Sequence, residues 1–201
     1  SPSRGLGDVY KRQPFPKPQT DIRWQERDRN DDTGEVILSL TPIHGDRIHY
    51  EIGAPATSAS QIVTDAKDFR TQALEISFLC LDSATEHETG EAKLWRNRLT
   101  LKSRIYQQGS DKMVELRSAP NAPIRYTTDG SDPKISGGNY EGSFLVPPAT
   151  LFVLAVAEKQ GLVSEIHRLE IKWDEREESR LDPDKSTIWK KEHRPSTTQE
   201  S

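Results

Sequence analysis

The stretch IRYTTDGSDP, residues 124–133, decides the fold of this chain. Its first residues alternate between apolar or aromatic and polar side chains, a pattern typical of a half-buried β-strand. The Asp-Gly and Asp-Pro dipeptides that follow are turn formers, because glycine accepts a positive φ and proline fixes its own φ. We therefore predict a strand that ends in a tight turn. The alternative, that Asp129 and Asp132 bind a metal or perform acid–base chemistry, is disfavoured.

A related pattern occurs earlier, in Ile48-His49-Tyr50, which lies 76 residues before Ile124-Arg125-Tyr126. A slip of one residue turns the core side chains of a strand to its other face, so an ungapped match across separate strands predicts two copies of one module. A last strand, 97–102, matches 167–172 with an offset of 70. The offset of 76 also carries Leu38 and Leu40 onto Val114 and Leu116, and Ile76, Phe78 and Cys80 onto Phe152, Leu154 and Val156.

This repeat predicts an all-β chain with two tandem small β-sandwich modules, immunoglobulin- or fibronectin-like, and irregular or disordered termini. The modules are expected at 34–103 and 109–174. Residues 14–33 lack an apolar period and are predicted to be a linker. Residues 175–201 are predicted to be a charged linker and a truncated tail. Residues 1–13 resemble the translation of a transposon end used in sequencing libraries, and we expect them to be non-native.

The composition limits the classes of function that this chain can have. The chain has 201 residues, 32% hydrophobic and 30% charged, with a net charge of −4, which predicts small cores with solvated flanks. No apolar stretch reaches the roughly 18 residues that span a bilayer, and no leader opens the chain. The lone cysteine argues against a disulfide framework, so we expect a soluble, cytoplasmic protein. Neither module is net basic, so no nucleic-acid surface is expected; positive charge clusters only at Lys190, Lys191 and Arg194.

Candidate reactive residues each have a structural alternative that we favour. His44, Asp46 and His49 are close enough in sequence to hold a metal, but His49 is expected to alternate outward from a turn. The acidic loop with Asp82, Glu86, His87, Glu88 and Glu91 could bind a cation such as calcium, but it lacks the spacing of a calcium loop. Cys80 is expected in the core rather than as a nucleophile. The sequence contains no phosphate-binding loop and no Gly-x-Ser-x-Gly or His-Glu-x-x-His motif, so we expect no catalytic residue, cofactor or metal.

Four aromatic residues lie outside the clear core positions. A sheet that binds sugars needs a row of exposed aromatic faces, and the only candidates are Trp95, Tyr106, Tyr140 and Trp173. We favour core or inter-module packing for them.

The stretch 124–133, together with YEGSF at 140–144, LAVA at 154–157 and Ser164-Glu165, resembles the fibronectin-III-associated or chitobiase C-terminal-type β-sandwich module. The resemblance covers about 112–172, and 36–102 only through the repeat, where Tyr50-Glu51-Ile52-Gly53 departs from the motif. It implies an accessory module attached to an enzyme. It also implies that the motif residues serve the turn and the core: Tyr126, Thr127, Thr128, Asp129, Gly130, Asp132 and Pro133.

Residues from about 21 to 189 resemble, more weakly, the C-terminal region of large prokaryotic ATP-binding proteins. These proteins are catalogued as domain of unknown function 499 and are associated with phage defence and DNA modification. It implies a non-catalytic interaction appendage whose ATPase lies in N-terminal domains outside this sequence. Those domains are the expected partners, together with a possible protein partner. The alternative is a carbohydrate-associated accessory module of a glycoside hydrolase.

Overall fold

The computed structural model describes residues 16–84 and 89–174 and is nearly all β. Contacts divide the chain into two compact units. The first comprises residues up to 28, 37–71 and 75–96; the second comprises 29–36, 72–74 and the chain from 97 onward. No helix among the described residues is long and apolar enough to cross a bilayer.

The first unit is built on two sheets, of order β1-β2-β5 and β4-β3-β6-β7, and the second of these is antiparallel. Its strands are β1 (Asp21–Arg29), β2 (Val36–Ile43), β3 (Arg47–Ile52), β4 (Gln61–Ile62), β5 (Phe69–Thr71), β6 (Glu75–Leu81) and β7 (Lys93–Arg96).

The second unit has the same arrangement, with sheets β12-β9-β8 and β11-β10-β13-β14, and with β15 also paired to β13. Its elements are β8 (Thr100–Gln108), β9 (Asp111–Ala119), β10 (Ile124–Thr127), α1 (Pro133–Ser136), β11 (Gly138–Asn139), β12 (Phe144–Leu145), β13 (Phe152–Lys159), β14 (Leu162–Val163) and β15 (His167–Glu170).

The predicted all-β class with β-sandwich modules is confirmed, and the two units share one topology. In each, the first, second and fifth principal strands form a three-stranded sheet, and the others form the second sheet. The predicted non-native segment 1–13 and the tail 175–201 lie outside the described residues, so the structure does not bear on their expected disorder.

The register of the repeat differs by one residue between β6 and β13. Ile48 pairs with Cys80 across β3 and β6, whereas Ile124 pairs with Ala157, not with Val156, across β10 and β13. The position equivalent to Cys80 is therefore Ala157, 77 residues on, and the predicted correspondence with Val156 is wrong. Residues 152–157 are apolar on both faces, so the alternation of side chains could not show which face meets the core. The core face of β13 consists of Val153, Ala155 and Ala157.

The predicted match between the last strands of the two copies, 97–102 and 167–172, is also wrong. β7 pairs with β6, placing Trp95 opposite Ile76, and β15 pairs with β13, placing Leu169 opposite Val153. Residues 93–96, rather than 97–102, are therefore the counterpart of β15. The segment 100–108 instead forms β8 and pairs along its whole length with β9 in the second unit.

The segment 14–33, interpreted as a linker, contains β1. Within the first unit, Ile22 is 2% exposed and the ring of Trp24 lies 6.1 Å from that of Phe78. The rest of the strand is mostly exposed. β1 lies at the edge of its sheet and has only two large apolar side chains. Its apolar period is therefore too weak to be recognised in the sequence.

Each unit has its own core. In the first, Leu38, Ile76 and Phe78 are fully buried, and Phe78 also makes an edge contact with the ring of Phe69 at 5.4 Å. In the second, Val114 and Val153 have no exposed surface. Burial of side chains of this size stabilises a fold by roughly 1.5–3 kcal/mol each.

A buried amide joins three segments of the second unit. Asn97 is 4% exposed, and its Nδ2 donates to the carbonyl oxygens of Gly34 at 3.0 Å and Ala73 at 3.2 Å. Its Oδ1 accepts a hydrogen bond from Arg29 Nη1 at 2.6 Å. This one side chain therefore satisfies backbone groups in segments 29–36 and 72–74.

Candidate interaction sites

The motif after β10 forms a hydrogen-bonded turn. Thr127 Oγ1 donates to the carbonyl oxygen of Ser131 at 2.7 Å. Asp129 Oδ1 accepts from Ser131 N at 3.0 Å and from Ser131 Oγ at 2.6 Å, and these bonds lower the pKa of the Asp129 carboxyl. Gly130 has a φ of +85°, a conformation that L side chains rarely adopt. The carboxylate of Asp129 is thus used within the turn.

The second half of the motif starts a single helical turn. Asp132 caps α1 by accepting a hydrogen bond from Lys134 N at 2.8 Å, and Pro133 is buried at the first helical position. A Cβ at Gly130 would lie 3.4 Å from the ring of Phe152, on the face of β13 that points away from the core. The motif thus packs against that face, with Thr128 half-buried beside it.

Tyr126 belongs to a group of three rings. It stacks on Phe144 with ring centroids 4.1 Å apart, and Tyr140 meets both rings edge-on at 6.3 Å. The Tyr140 hydroxyl accepts a hydrogen bond from Leu116 N at 3.0 Å. In the first unit the rings of Tyr50 and Phe69 also meet, edge-on, with centroids 5.1 Å apart. Tyr140 therefore serves packing.

The other candidate aromatics are also engaged. Trp95 is 6% exposed, and half-buried Trp173 donates from Nε1 to the carbonyl oxygen of Thr150 at 2.8 Å. Tyr106 is half-buried, with the Arg104 guanidinium 5.2 Å from its ring centroid. Because all four side chains are buried or half-buried, they do not provide the open row of aromatic faces that a sugar chain needs.

His44, Asp46 and His49 do not converge on a metal site. His44 is exposed in a turn at a φ of +52°, while the Asp46 carboxylate accepts hydrogen bonds from Ser83 N and Oγ, which lower its pKa. Within the described ranges 16–84 and 89–174, no group of three or more His, Cys, Asp or Glu side chains could hold a metal.

His49 is buried, contrary to the outward position predicted for it. It is 4% exposed, and its Nδ1 lies 2.9 Å from the carbonyl oxygen of Ser60. Ala56 N, in the same loop, donates to Ser77 Oγ on the neighbouring strand at 2.8 Å. The loop after β3 thus covers the outer face of this sheet, which strand periodicity alone does not reveal.

Cys80 lies in the core, as predicted. It is 2% exposed, and burial raises the pKa of its thiol, which makes it a poor nucleophile at neutral pH. Of the acidic loop, Asp82 and Glu91 are described, while Glu86, His87 and Glu88 lie outside the described residues.

The second unit has a groove of about 500 Å³ between the start of β8 and the segment 162–167. Both β8 and β15 end their sheets. Val163 and Ile166 are 46% and 41% exposed at its rim. This groove is not predicted by the sequence pattern, in which its one signal is two apolar residues outside the alternating core positions. The lining includes Leu99, Thr100, Leu101, Leu162, Glu165 and His167.

His167 and Ser103 make a hydrogen bond beside this groove. His167 Nε2 lies 2.8 Å from Ser103 Oγ, and burial lowers the pKa of the half-buried imidazole. The lowered pKa favours the neutral imidazole, whose Nε2 accepts from or donates to the Ser103 hydroxyl according to the tautomer. Within the described part of the chain no carboxylate contacts Nδ1, so the pair lacks the third group that orients a catalytic histidine.

Comparison with known proteins bears on the second unit. Residues 114–170 match the protein family described as Fn3 associated, a stretch that runs from β9 through β15. The predicted fibronectin-III-associated module is confirmed for these residues. No curated protein matches the chain.

Proposed function

We propose that this chain is a non-catalytic accessory region of a larger prokaryotic ATP-binding protein, acting in the cytoplasm in phage defence or DNA modification, and that its second unit binds a protein partner. The Fn3-associated match supports an accessory role. The carboxylates of the motif act in turn formation and helix capping, and Cys80 is a core residue. ATP binding belongs to domains outside this sequence.

The groove between β8 and β15 carries the proposed binding role. Among the described residues, each of these strands has one neighbour in its sheet, so each has a second edge of backbone N–H and C=O groups. An extended peptide can add to such an edge through main-chain hydrogen bonds, while pockets for alternate side chains select its sequence. Leu99 and Leu162 give the groove apolar surface, and Val163 and Ile166 extend it to the rim.

A second candidate is a carbohydrate-associated accessory module of a glycoside hydrolase. It is favoured by the family match, since the resemblance to chitobiase-type modules concerns the same residues. The half-buried state of Tyr106, Tyr140 and Trp173 weighs against it.

Peptide selection on the intact chain tests the first candidate. Extended peptides enriched from a random library should bind in the groove, so Ile166→Asp should weaken binding by about tenfold or more, since each tenfold step is about 1.4 kcal/mol. The control is Ile135→Asp, since Ile135 is 81% exposed on α1 and does not line the groove. Peptides insensitive to Ile166→Asp would contradict the proposed binding surface.

Two observations separate the candidates. A phosphate-binding loop encoded upstream of residue 14 supports the ATP-binding parent, whereas a glycosidase domain there supports the second candidate. Retention of the chain on an insoluble polysaccharide, measured by co-sedimentation, also supports the second candidate and contradicts the first.

A further inference from the structure

Four charged side chains lie close together on the outer face of β8 and β9. The strand pairing places Lys102 opposite Arg117, and Arg104 opposite Glu115. Residues opposite each other in an antiparallel pair project from the same face, as do residues two apart along a strand. Three basic side chains and one carboxylate therefore share one small area of the second unit.

Glu115 holds two arginines at once. Its Oε2 accepts from Arg104 Nη2 at 2.6 Å, and its Oε1 accepts from Arg117 Nε at 2.8 Å and Nη2 at 2.6 Å. The Glu115 side chain is only 17% exposed, whereas those of Arg104 and Arg117 are 69% and 77% exposed. The hydrogen bond from Arg117, and then that from Arg104, lowers the pKa of Glu115, so this carboxylate stays ionised at neutral pH.

The two guanidinium groups keep most of their hydrogen-bonding capacity. A guanidinium carries five N–H donors in a rigid plane, and Glu115 accepts only some of them from each arginine. Arg104 is further held over the ring of Tyr106. Lys102 lies beside them and is paired with Asp32 of the same unit at 2.5 Å. Together with Glu115, the three basic residues line a surface groove of about 230 Å³.

We propose that Arg104 and Arg117, held by Glu115, form a binding site for a single phosphate-class oxyanion, with Lys102 contributing a third positive charge. Guanidinium donors match the oxygens of a phosphate in bidentate geometry. Two arginines share one carboxylate, so a net positive charge remains for the ligand. Because Glu115 already orders the arginines, less conformational entropy is lost when an anion binds.

The first unit offers a comparison. There Arg96 pairs with Glu75 at 2.8 Å across β7 and β6, so one guanidinium meets one carboxylate and their charges cancel. This pair has the same cross-strand chemistry without the second arginine. It is therefore the matched control for the cluster on β8 and β9.

The size and charge of the site favour one anionic group over a nucleic acid. Binding of a nucleic acid relies on several phosphate contacts along a basic track. Here Asp32 and Glu115 lie among the three basic residues and repel a long polyanion. The phosphate-class group is either free phosphate or a phosphorylated side chain of a partner. The site lies on a different surface from the peptide groove and does not depend on the proposed function.

The test is a titration of the ¹⁵N-labelled full chain with inorganic phosphate at constant ionic strength, with the arginine Nε–H signals followed by NMR. We expect saturable shifts of the Arg104 and Arg117 signals, with a dissociation constant on the order of 1–10 mM. Arg104→Gln combined with Arg117→Gln should weaken binding at least about tenfold, whereas Arg96→Gln should leave it unchanged. Both arginines are well exposed, so the fold should persist, and thermal unfolding checks this.

A parallel titration with a short phosphoserine peptide and its unphosphorylated form identifies the source of the anion. Tighter binding of the phosphopeptide than of phosphate indicates a phosphorylated partner, and equal binding indicates the free anion; both support the site. Absence of saturable shifts with both ligands, or equal weakening by Arg96→Gln, would overturn it.

Discussion

Cys80 and Ala157 occupy the same position in the two units. Cys80 lies on β6 and Ala157 on β13, each paired with the isoleucine that opens the repeat, Ile48 or Ile124, and each points into a core. A thiol and a methyl group at equivalent positions indicate that the space there is small in both cores. This relationship makes the register of the repeat testable by mutation.

Enlarging Ala157 should destabilise the second unit. Ala157 has no exposed surface and packs among core residues that include Val114 and Val153, so Ala157→Leu should cost about 1–3 kcal/mol through overpacking. Urea unfolding measures the change. Glu158→Leu, at the exposed neighbouring position, removes only a surface ion pair with Arg125 and should change stability by less than about 1 kcal/mol. Equal effects would mean that Ala157 does not face the core.

Gly130 is required for its backbone conformation. Gly130→Ala places a Cβ at a φ of +85° and 3.4 Å from the ring of Phe152, so we expect a loss of about 1–2 kcal/mol. Gly138 is the control, because a Cβ there meets no atom within 4 Å and its φ is not in the strained positive range. Gly138→Ala should be neutral or slightly stabilising in thermal unfolding. A neutral Gly130→Ala would show that the turn tolerates side chains.

Asn97 should be among the most sensitive polar positions. Asn97→Ala leaves the carbonyl oxygens of Gly34 and Ala73 without this donor, and each unsatisfied buried group costs about 1–3 kcal/mol. Asn139→Ala, at an exposed position on β11, should change stability by less than about 0.5 kcal/mol. Denaturant unfolding of both variants decides between a structural and a neutral role for Asn97.

The burial of His167 should make stability depend on pH. Burial lowers the pKa of folded His167 below its ordinary value of 6.5, so the unfolded chain takes up a proton more readily. The stabilisation is therefore fully present above about pH 6.5 and is lost as the pH falls through 6.5 toward the folded pKa. Thermal unfolding between pH 7.5 and about pH 5 should show a smaller pH dependence in His167→Gln than in the unchanged chain. Identical pH dependence in the two would exclude His167 as a source.

The strands with strong alternation were predictable from sequence, and those without it were not. Ile48 to Tyr50 and Ile124 to Tyr126 predicted both the strand and the repeat because apolar or aromatic and polar side chains alternate there in the same order. On β13 the outer face is also buried, by the motif and α1, so Val156 looked equivalent to Ala157. Leu99, which lies just before β8, and Leu101, which lies in it, form a pattern that fits either unit equally well.

The candidate sites depend on contacts distant in sequence. Arg104 and Arg117 converge on Glu115 only because of the pairing of β8 with β9, and Ser103 meets His167 from the other sheet. Neither convergence follows from local spacing. The turn at Asp129 and Asp132, by contrast, is local and follows from glycine and proline geometry.

Hydrogen exchange of the backbone amides tests the central claim most directly. The full chain should be compared alone and with a peptide selected on it. If the second unit binds extended peptides through strand addition, amides of β15 and the start of β8 should become protected, while those of β3 and β6 in the first unit should not change. Binding without protection at β15 and β8 would contradict this account of the chain as a peptide-binding accessory module.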